Sequence, residues 1–220
     1  MLSPLEGIES LAAEVIRLRN DLNVRAMVEN RIAEFLEVKE RDSYAWFTEL
    51  VYCLLTAYSS AERGQLCVDA LCDCDALLNG SLGEVSETLR CQGHRFAERR
   101  AEYIVEARRI APKLKEIVQG FRTTKSAREW LVKNVKGLGW KEASHFLRNV
   151  GYLDIVILDR HIMSNMREYG LIPNEGAVGL TKRRYLEYER LLEEVARRVG
   201  ISPGEMDLYL WYRKTGKVLK

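Results

Sequence analysis

A lysine and an aspartate set on either side of an apolar run are the residues of this chain best suited to covalent chemistry. Lys141 follows the tripeptide Gly137-Leu138-Gly139, and Asp159 comes eighteen residues after it, directly behind Ile155-Val156-Ile157-Leu158. Two glycines around one apolar residue allow positive φ without a Cβ clash, so two helices can join through a very short hairpin. Lys141 then falls in the first turn of the second helix, where the positive end of the macrodipole disfavours an ammonium. Partial burial acts in the same direction, from a reference pKa of ~10.4 toward a nucleophilic amine. Asp159 reads as the N-cap of a helix starting at Arg160, with its carboxylate held as the anion. Such an aspartate is commonly structural; paired with a nucleophilic lysine it is placed to stabilise a developing cation. The chemistry these two residues suit is amine attack on an electrophilic carbon beside a carboxylate.

The hairpin itself suggests a second property. The backbone N–H groups around Gly137 and Gly139, with the following helix N-terminus, form an anion site suited to phosphate. Lys136 before the turn and Lys141 after it add charge, and Trp130 and Leu131 pack the first helix. A helix-hairpin-helix element, here spanning about 127–150, grips a nucleic-acid backbone without reading its sequence. The same glycine spacing also fits a helical turn buried in a core.

The elements that must position these residues are helical. Apolar residues recur at helical period in Ile8–Leu22 and Val24–Leu36, before a charged linker Lys39-Glu40-Arg41-Asp42. Capped by Asp42 or Ser43, the stretch around Trp46–Leu55 is apolar on all sides, which predicts a central buried helix. A helix starting at Ser59-Ser60-Ala61-Glu62 runs toward Leu71. Asn79-Gly80-Ser81 and Gly83 mark turns around a short helix, Val85–Leu89. One long helix is predicted from Phe96 to about Val118, ended by Gly120. The next, capped by Thr124 or Ser126, carries Trp130, Leu131 and Val135. Beyond the hairpin come a buried extended link at Ile155–Leu158, a helix Arg160–Tyr169 and a Gly/Pro-containing loop at Gly170–Gly179. A charged helix Thr181–Val199 follows, then a last helix with Ser202 as cap and Pro203 in its first turn, ending near Arg213. The class is all-α.

Composition narrows the setting. A chain of 220 residues, 47% hydrophobic and 30% charged, is long enough for one domain or two intimate subdomains. The net charge of +2 is too small to argue for a polyanionic partner, so local charge has to. No apolar run approaches the ~18 residues of a membrane span, and Met1-Leu2-Ser3-Pro4-Leu5-Glu6 has no leader pattern; both favour the cytoplasm. The odd cysteine count (Cys53, Cys67, Cys72, Cys74, Cys91) argues against a disulfide framework. Cys67, Cys72 and Cys74 depart from zinc-ligand spacing, so reduced thiols are expected and no metal site. No cysteine follows Cys91, which rules out a C-terminal iron–sulfur loop.

Gly137-Leu138-Gly139-Trp140-Lys141-Glu142-Ala143, followed by Leu158-Asp159-Arg160-His161, resembles the signature of the helix-hairpin-helix DNA glycosylases with a glycine/proline-rich loop and a late aspartate. Three further stretches resemble the 8-oxoguanine DNA glycosylase/AP lyases of the second, largely archaeal class. These are Leu54-Leu55-Thr56-Ala57-Tyr58-Ser59-Ser60-Ala61, the helix from Arg95-Phe96 to Arg108, and the tail with Trp211 and Gly216-Lys217-Val218-Leu219-Lys220. The resemblance runs from about residue 40 to the end.

It implies a single glycosylase domain over 1–220, built as two helical subdomains with the active-site cleft between them. The implied activity is excision of 8-oxoguanine from duplex DNA, with strand cleavage at the abasic site by β-elimination. Lys141 would be the nucleophile that forms a Schiff base, and Asp159 the carboxylate that stabilises the charged sugar. Phe96 and Trp211 would stack on the flipped base and Lys220 would contact it. From the residues alone, Phe96 could equally be core, Trp211 could pack the last helix, and Lys220 could belong to a frayed tail. No cofactor is implied beyond a monovalent cation that the hairpin carbonyls could hold. The expected form is a monomer in a prokaryotic cytoplasm, associated with DNA. Tyr58 departs from the family, which usually has a small polar amide there; it is a candidate duplex wedge, or it packs inward. Two alternatives stay open: a related glycosylase for another damaged base, and a non-catalytic DNA-binding module.

Overall fold

The computed structural model describes residues 4–174 and 180–220, and all regular structure among them is helical. In chain order come α1 (Pro4–Asn20), α2 (Leu22–Glu40), α3 (Ser43–Thr56), α4 (Ala61–Asp73), α5 (Leu82–Cys91) and α6 (Ala97–Ala107). A 3-10 segment (Arg108–Lys113) leads to α7 (Leu114–Gln119), α8 (Thr124–Asn134), α9 (Trp140–Asn149), α10 (Arg160–Glu168), α11 (Lys182–Val199) and α12 (Pro203–Thr215). No helix among the described residues is long and apolar enough to cross a membrane. The chain divides into two compact units, one of residues 36–150 and the other of residues 1–35 with 151–220.

In the continuous unit, α3 is the core, as its apolar circumference predicts. Trp46, Phe47 and every residue from Leu50 to Leu55 are buried, and α3 packs against α4, α6, α7 and α9. Asp42 caps it, accepting from the Ala45 N–H at 2.9 Å. Its hold on α9 combines edge-on ring pairs, Trp46 with Phe146 and Tyr52 with His145, and a buried amide–carboxylate bond from Asn149 Nδ2 to Glu49 Oε2 at 3.0 Å.

In the discontinuous unit, α1 packs on α11 and α12, and α10 packs on α12. Gly7 makes the first of these arrangements compatible with α10. A Cβ there would lie 2.4 Å from the Tyr169 carbonyl oxygen at that helix's end.

Four local expectations change. Lys39 and Glu40 are the last turn of α2 and not a linker, since both are good helix formers and the Arg41 N–H still reaches the Val38 carbonyl. Gly83 lies inside α5, whose cap is Ser81 in a reciprocal capping box with Glu84. The long helix from Phe96 breaks into α6, the 3-10 segment and α7. Pro112 lacks the N–H an α-helix needs there, and Arg108 turns its guanidinium onto the Ala76, Leu77 and Gly80 carbonyls. Thr123 caps α8, with Ser126 as its reciprocal partner, and Thr124 is already helical. The loop predicted at 170–179 falls partly, at 175–179, outside the described residues, as do the first three residues of the leader argument.

Candidate nucleic-acid and catalytic site

The hairpin between α8 and α9 takes its positive φ at Gly137 alone; Gly139, at φ −87, is extended. Gly137 has φ +91, and a Cβ on it would lie 2.3 Å from Tyr103 Cδ2, so only glycine fits. The turn closes through Leu138 N–H to the Val135 carbonyl at 3.2 Å, with both side chains buried. Gly139 is the N-cap of α9 and has no side chain to bond the helix's first N–H groups. Arg128, fully buried, ties the two helices: its guanidinium bonds Ser144 Oγ at 3.2 Å and lies 4.7 Å over the Trp140 ring. Trp130 packs against Phe121, ring centres 6.1 Å apart.

Lys141 is the second residue of α9 and half-buried, as its sequence position predicts. Its Nζ lies 3.3 Å from Glu142 Oε1. Sequence reasoning gave Glu142 no part, although its adjacency to Lys141 was a usable signal. Lys136 is exposed and pairs with Glu106 at 3.3 Å.

Phe96 is not a core residue. It caps α6 without a side-chain bond and leaves its ring exposed, with the Arg95 guanidinium 5.1 Å from the ring centre. Edge-on to it, at 6.0 Å, stands Tyr58, which is 87% exposed and therefore does not pack inward. Tyr58 has φ +63. Asparagine tolerates that left-handed conformation far better than a bulky ring does. The buried Arg100 braces the neighbourhood by bonding the Ala57 carbonyl at 3.2 Å and facing the Tyr103 ring. Burial lowers the Arg100 pKa, and the surrounding Tyr103, Glu142 and Tyr58 oppose that shift.

In the other unit, Asp159 emerges from a segment whose side chains, Ile155 to Leu158, are all buried. A hydroxyl staples that segment in its extended form: Tyr185 of α11 donates to the Val156 carbonyl at 3.0 Å and accepts from Leu158 N–H at 3.3 Å. Tyr185 was missed from sequence, hidden in a helix whose charge was its visible feature. Asp159 caps α10 through Oδ1, which accepts from His161 and Ile162 N–H at 2.8 Å each. Its Oδ2 accepts from the indole N–H of Trp211 at 3.1 Å. Two residues read separately from sequence are thus bonded to each other. The tail beyond Gly216, a left-handed cap, is bound at Val218, whose carbonyl accepts from Arg31 at 3.3 Å. Lys220, at its end, is half-buried.

Comparison with known proteins agrees with these features. Residues 28–201 match the family described as Ogg-HhH, 8-oxoguanine DNA glycosylase. An 8-oxoguanine DNA glycosylase/AP lyase of Korarchaeum cryptofilum is 48% identical over 97% of this chain and 100% of its own length. The crystal structure of Methanocaldococcus jannaschii 8-oxoguanine glycosylase/lyase in complex with a 15mer DNA containing 8-oxoguanine superposes with a TM-score of 0.90. It is 43% identical, over 96% of this chain and 100% of that one. The 8-oxoguanine DNA glycosylase of Thermotoga maritima gives 0.86 at 44% identity, over 97% and 100%. A match of this extent, on a hairpin and capped aspartate formed as described, makes the chain a member of the 8-oxoguanine DNA glycosylase family.

Proposed function

We propose that this protein excises 8-oxoguanine from duplex DNA and then nicks the strand at the resulting abasic site. The observation that carries the reading is Lys141, half-buried in the first turn of α9 directly behind a hairpin that only glycine can form. DNA is gripped through the backbone N–H groups around Gly137 and Gly139, with Lys136 alongside. The lesion leaves the stack, and the exposed Phe96 ring and Trp211 stack on it, with Lys220 as a further contact. Tyr58, held outward at φ +63, fills the space left in the duplex.

The amine of Lys141 must leave its pair with Glu142 and lose its proton before it can attack. It then bonds to the anomeric carbon as the glycosidic bond breaks, and 8-oxoguanine departs with the bonding electrons. Asp159, its carboxylate fixed by three N–H groups, stabilises the positive charge that grows on the sugar. Ring opening gives an imine on Lys141, and loss of the adjacent proton expels the 3′ phosphate. This route calls for no metal or organic cofactor. A monovalent cation at the hairpin belongs to the same reading: the Val135 carbonyl accepts the turn bond from Leu138 and the Gly139 carbonyl accepts the first bond of α9 from Ala143, and each oxygen has a second lone pair. The enzyme is expected to act as a monomer in the cytoplasm, with DNA as its partner.

Borohydride reduction in the presence of an 8-oxoguanine duplex tests the proposal. A covalent protein–DNA adduct is expected with the intact protein and none with Lys141→Gln. Absence of the adduct from the intact protein, or its persistence in the variant, overturns the assignment.

A further inference from the structure

The Asp159 carboxylate has both oxygens committed, and the two commitments differ in kind. Oδ1 makes the N–H contacts that any N-cap aspartate makes within its own helix. Oδ2 is held from outside, by an indole on α12 that has one donor and no acceptor. The geometry around that indole is fixed on several sides. Just before it in the chain, the Leu210 carbonyl accepts from the buried Asn165 Nδ2 of α10 at 3.1 Å. Just after it, Arg213 bonds Asn165 Oδ1 at 2.9 Å and Glu168 Oε2 at 2.6 Å, both on α10. The His161 ring meets the indole edge-on, 5.3 Å between centres. Trp211 is therefore strapped to the helix that Asp159 begins, with its N–H aimed at the one carboxylate oxygen the cap does not hold.

We propose that Trp211 is a positioning residue for Asp159 in addition to stacking on the base. Its N–H holds the carboxylate in one orientation, with negative charge directed at the sugar through base loss and through the Schiff-base steps that follow. The inference rests on the function proposed above and separates from it in one respect. A stacking side chain matters only while a base occupies the pocket, whereas a positioning residue matters on an abasic site that has no base at all.

The experiment compares intact protein and Trp211→Phe on an 8-oxoguanine duplex and on a preformed abasic duplex, in single turnovers across enzyme concentration. Phenylalanine keeps the aromatic surface and removes the donor. The saturating rate of abasic-site nicking is expected to fall roughly tenfold or more, with little change in the half-saturating concentration. Trp211→His, which restores a ring N–H, is expected to recover part of that rate. In an Asp159→Asn background, Trp211→Phe is expected to cost less than it does in the intact protein, because the two residues act as one unit. Nicking of the abasic duplex by Trp211→Phe at the unmodified rate overturns the proposal, as does full additivity in the double variant. An independent readout needs no Trp211 variant: the indole N–H resonance of Trp211 should move in Asp159→Ala, and an unmoved resonance also overturns the proposal. Inactivity of the intact protein on both substrates would instead remove the functional reading underneath.

Discussion

Tyr103 of α6 lies against Gly137 so closely that no side chain fits between them; a Cβ there would stand 2.3 Å from the ring. The ring is itself set by its own helix. Arg99 Nε donates to its hydroxyl at 3.0 Å, and Arg99 and Arg100 lie 5.3 and 5.6 Å from its centre. Arg100 also holds the Ala57 carbonyl, next to Tyr58. One helix therefore braces both the hairpin and the loop that presents the exposed tyrosine.

Gly137→Ala should accordingly be costly twice over, through the positive φ and through the clash with Tyr103. A loss of about 2–4 kcal/mol is expected by denaturant titration, with weaker binding to duplex DNA of any sequence. A variant as stable as the parent would show that the hairpin can relax in a way this packing does not allow.

Tyr58→Asn is expected to act in the opposite sense on stability. Replacing a bulky residue at φ +63 by one that tolerates the left-handed region should stabilise the protein by about 0.5–1 kcal/mol. The exposed ring is lost at the same time, so affinity for lesion duplex should fall. Unfolding curves and binding titrations on the same preparation read both effects; a stability loss would count against strain at Tyr58.

Tyr185→Phe removes a buried hydroxyl that serves one carbonyl and one N–H of the segment leading to Asp159. A cost of about 1–3 kcal/mol is expected in unfolding experiments, since two buried backbone groups lose their partner. Base excision should slow more than duplex binding weakens, because the segment orients Asp159.

The pH dependence of stability should carry a mark of Glu168. Hydrogen bonds from Arg213 and then Lys214 hold its pKa at about 2, against 4.5 for the free side chain. A carboxylate with a lowered folded pKa stabilises the fold above the unfolded value, and that contribution disappears as pH falls through the folded value. Stability is thus expected to drop between about pH 4.5 and 2, less steeply in Glu168→Gln. Because Glu168 is half-exposed, added salt should shrink the difference. Identical acid slopes in the two proteins would show that the pair does not bias folding.

The features legible in the sequence are those whose cause is local. Asp159 as a cap, Ser202 and Pro203 opening α12, and Lys141 behind two glycines follow from backbone chemistry within a few residues. The apolar circumference of α3 announced a core helix in the same way. Pro112 was equally local and was outweighed by the periodicity on either side of it. The bond between Trp211 and Asp159 joins residues 52 positions apart, and no pattern near either one encodes it. The left-handed backbone at Tyr58 was hidden for another reason: a tyrosine is about the last residue type from which positive φ would be inferred.

The unit that carries Asp159 is interrupted in the chain, its first 35 residues separated from the rest by the whole of the other unit. On the ribosome, α1 emerges with Leu11, Ala12, Val15 and Leu18 ready for burial, but its partners α11 and α12 are made only after the whole of the other unit. At ~5–20 residues per second that delay is on the order of ten seconds. The continuous unit, with the hairpin and Lys141, can fold during that interval from residues already synthesised. A nascent chain released before Asp159 is made would thus retain the hairpin and Lys141 and lack the carboxylate, with α1 an uncovered apolar helix for chaperones to hold.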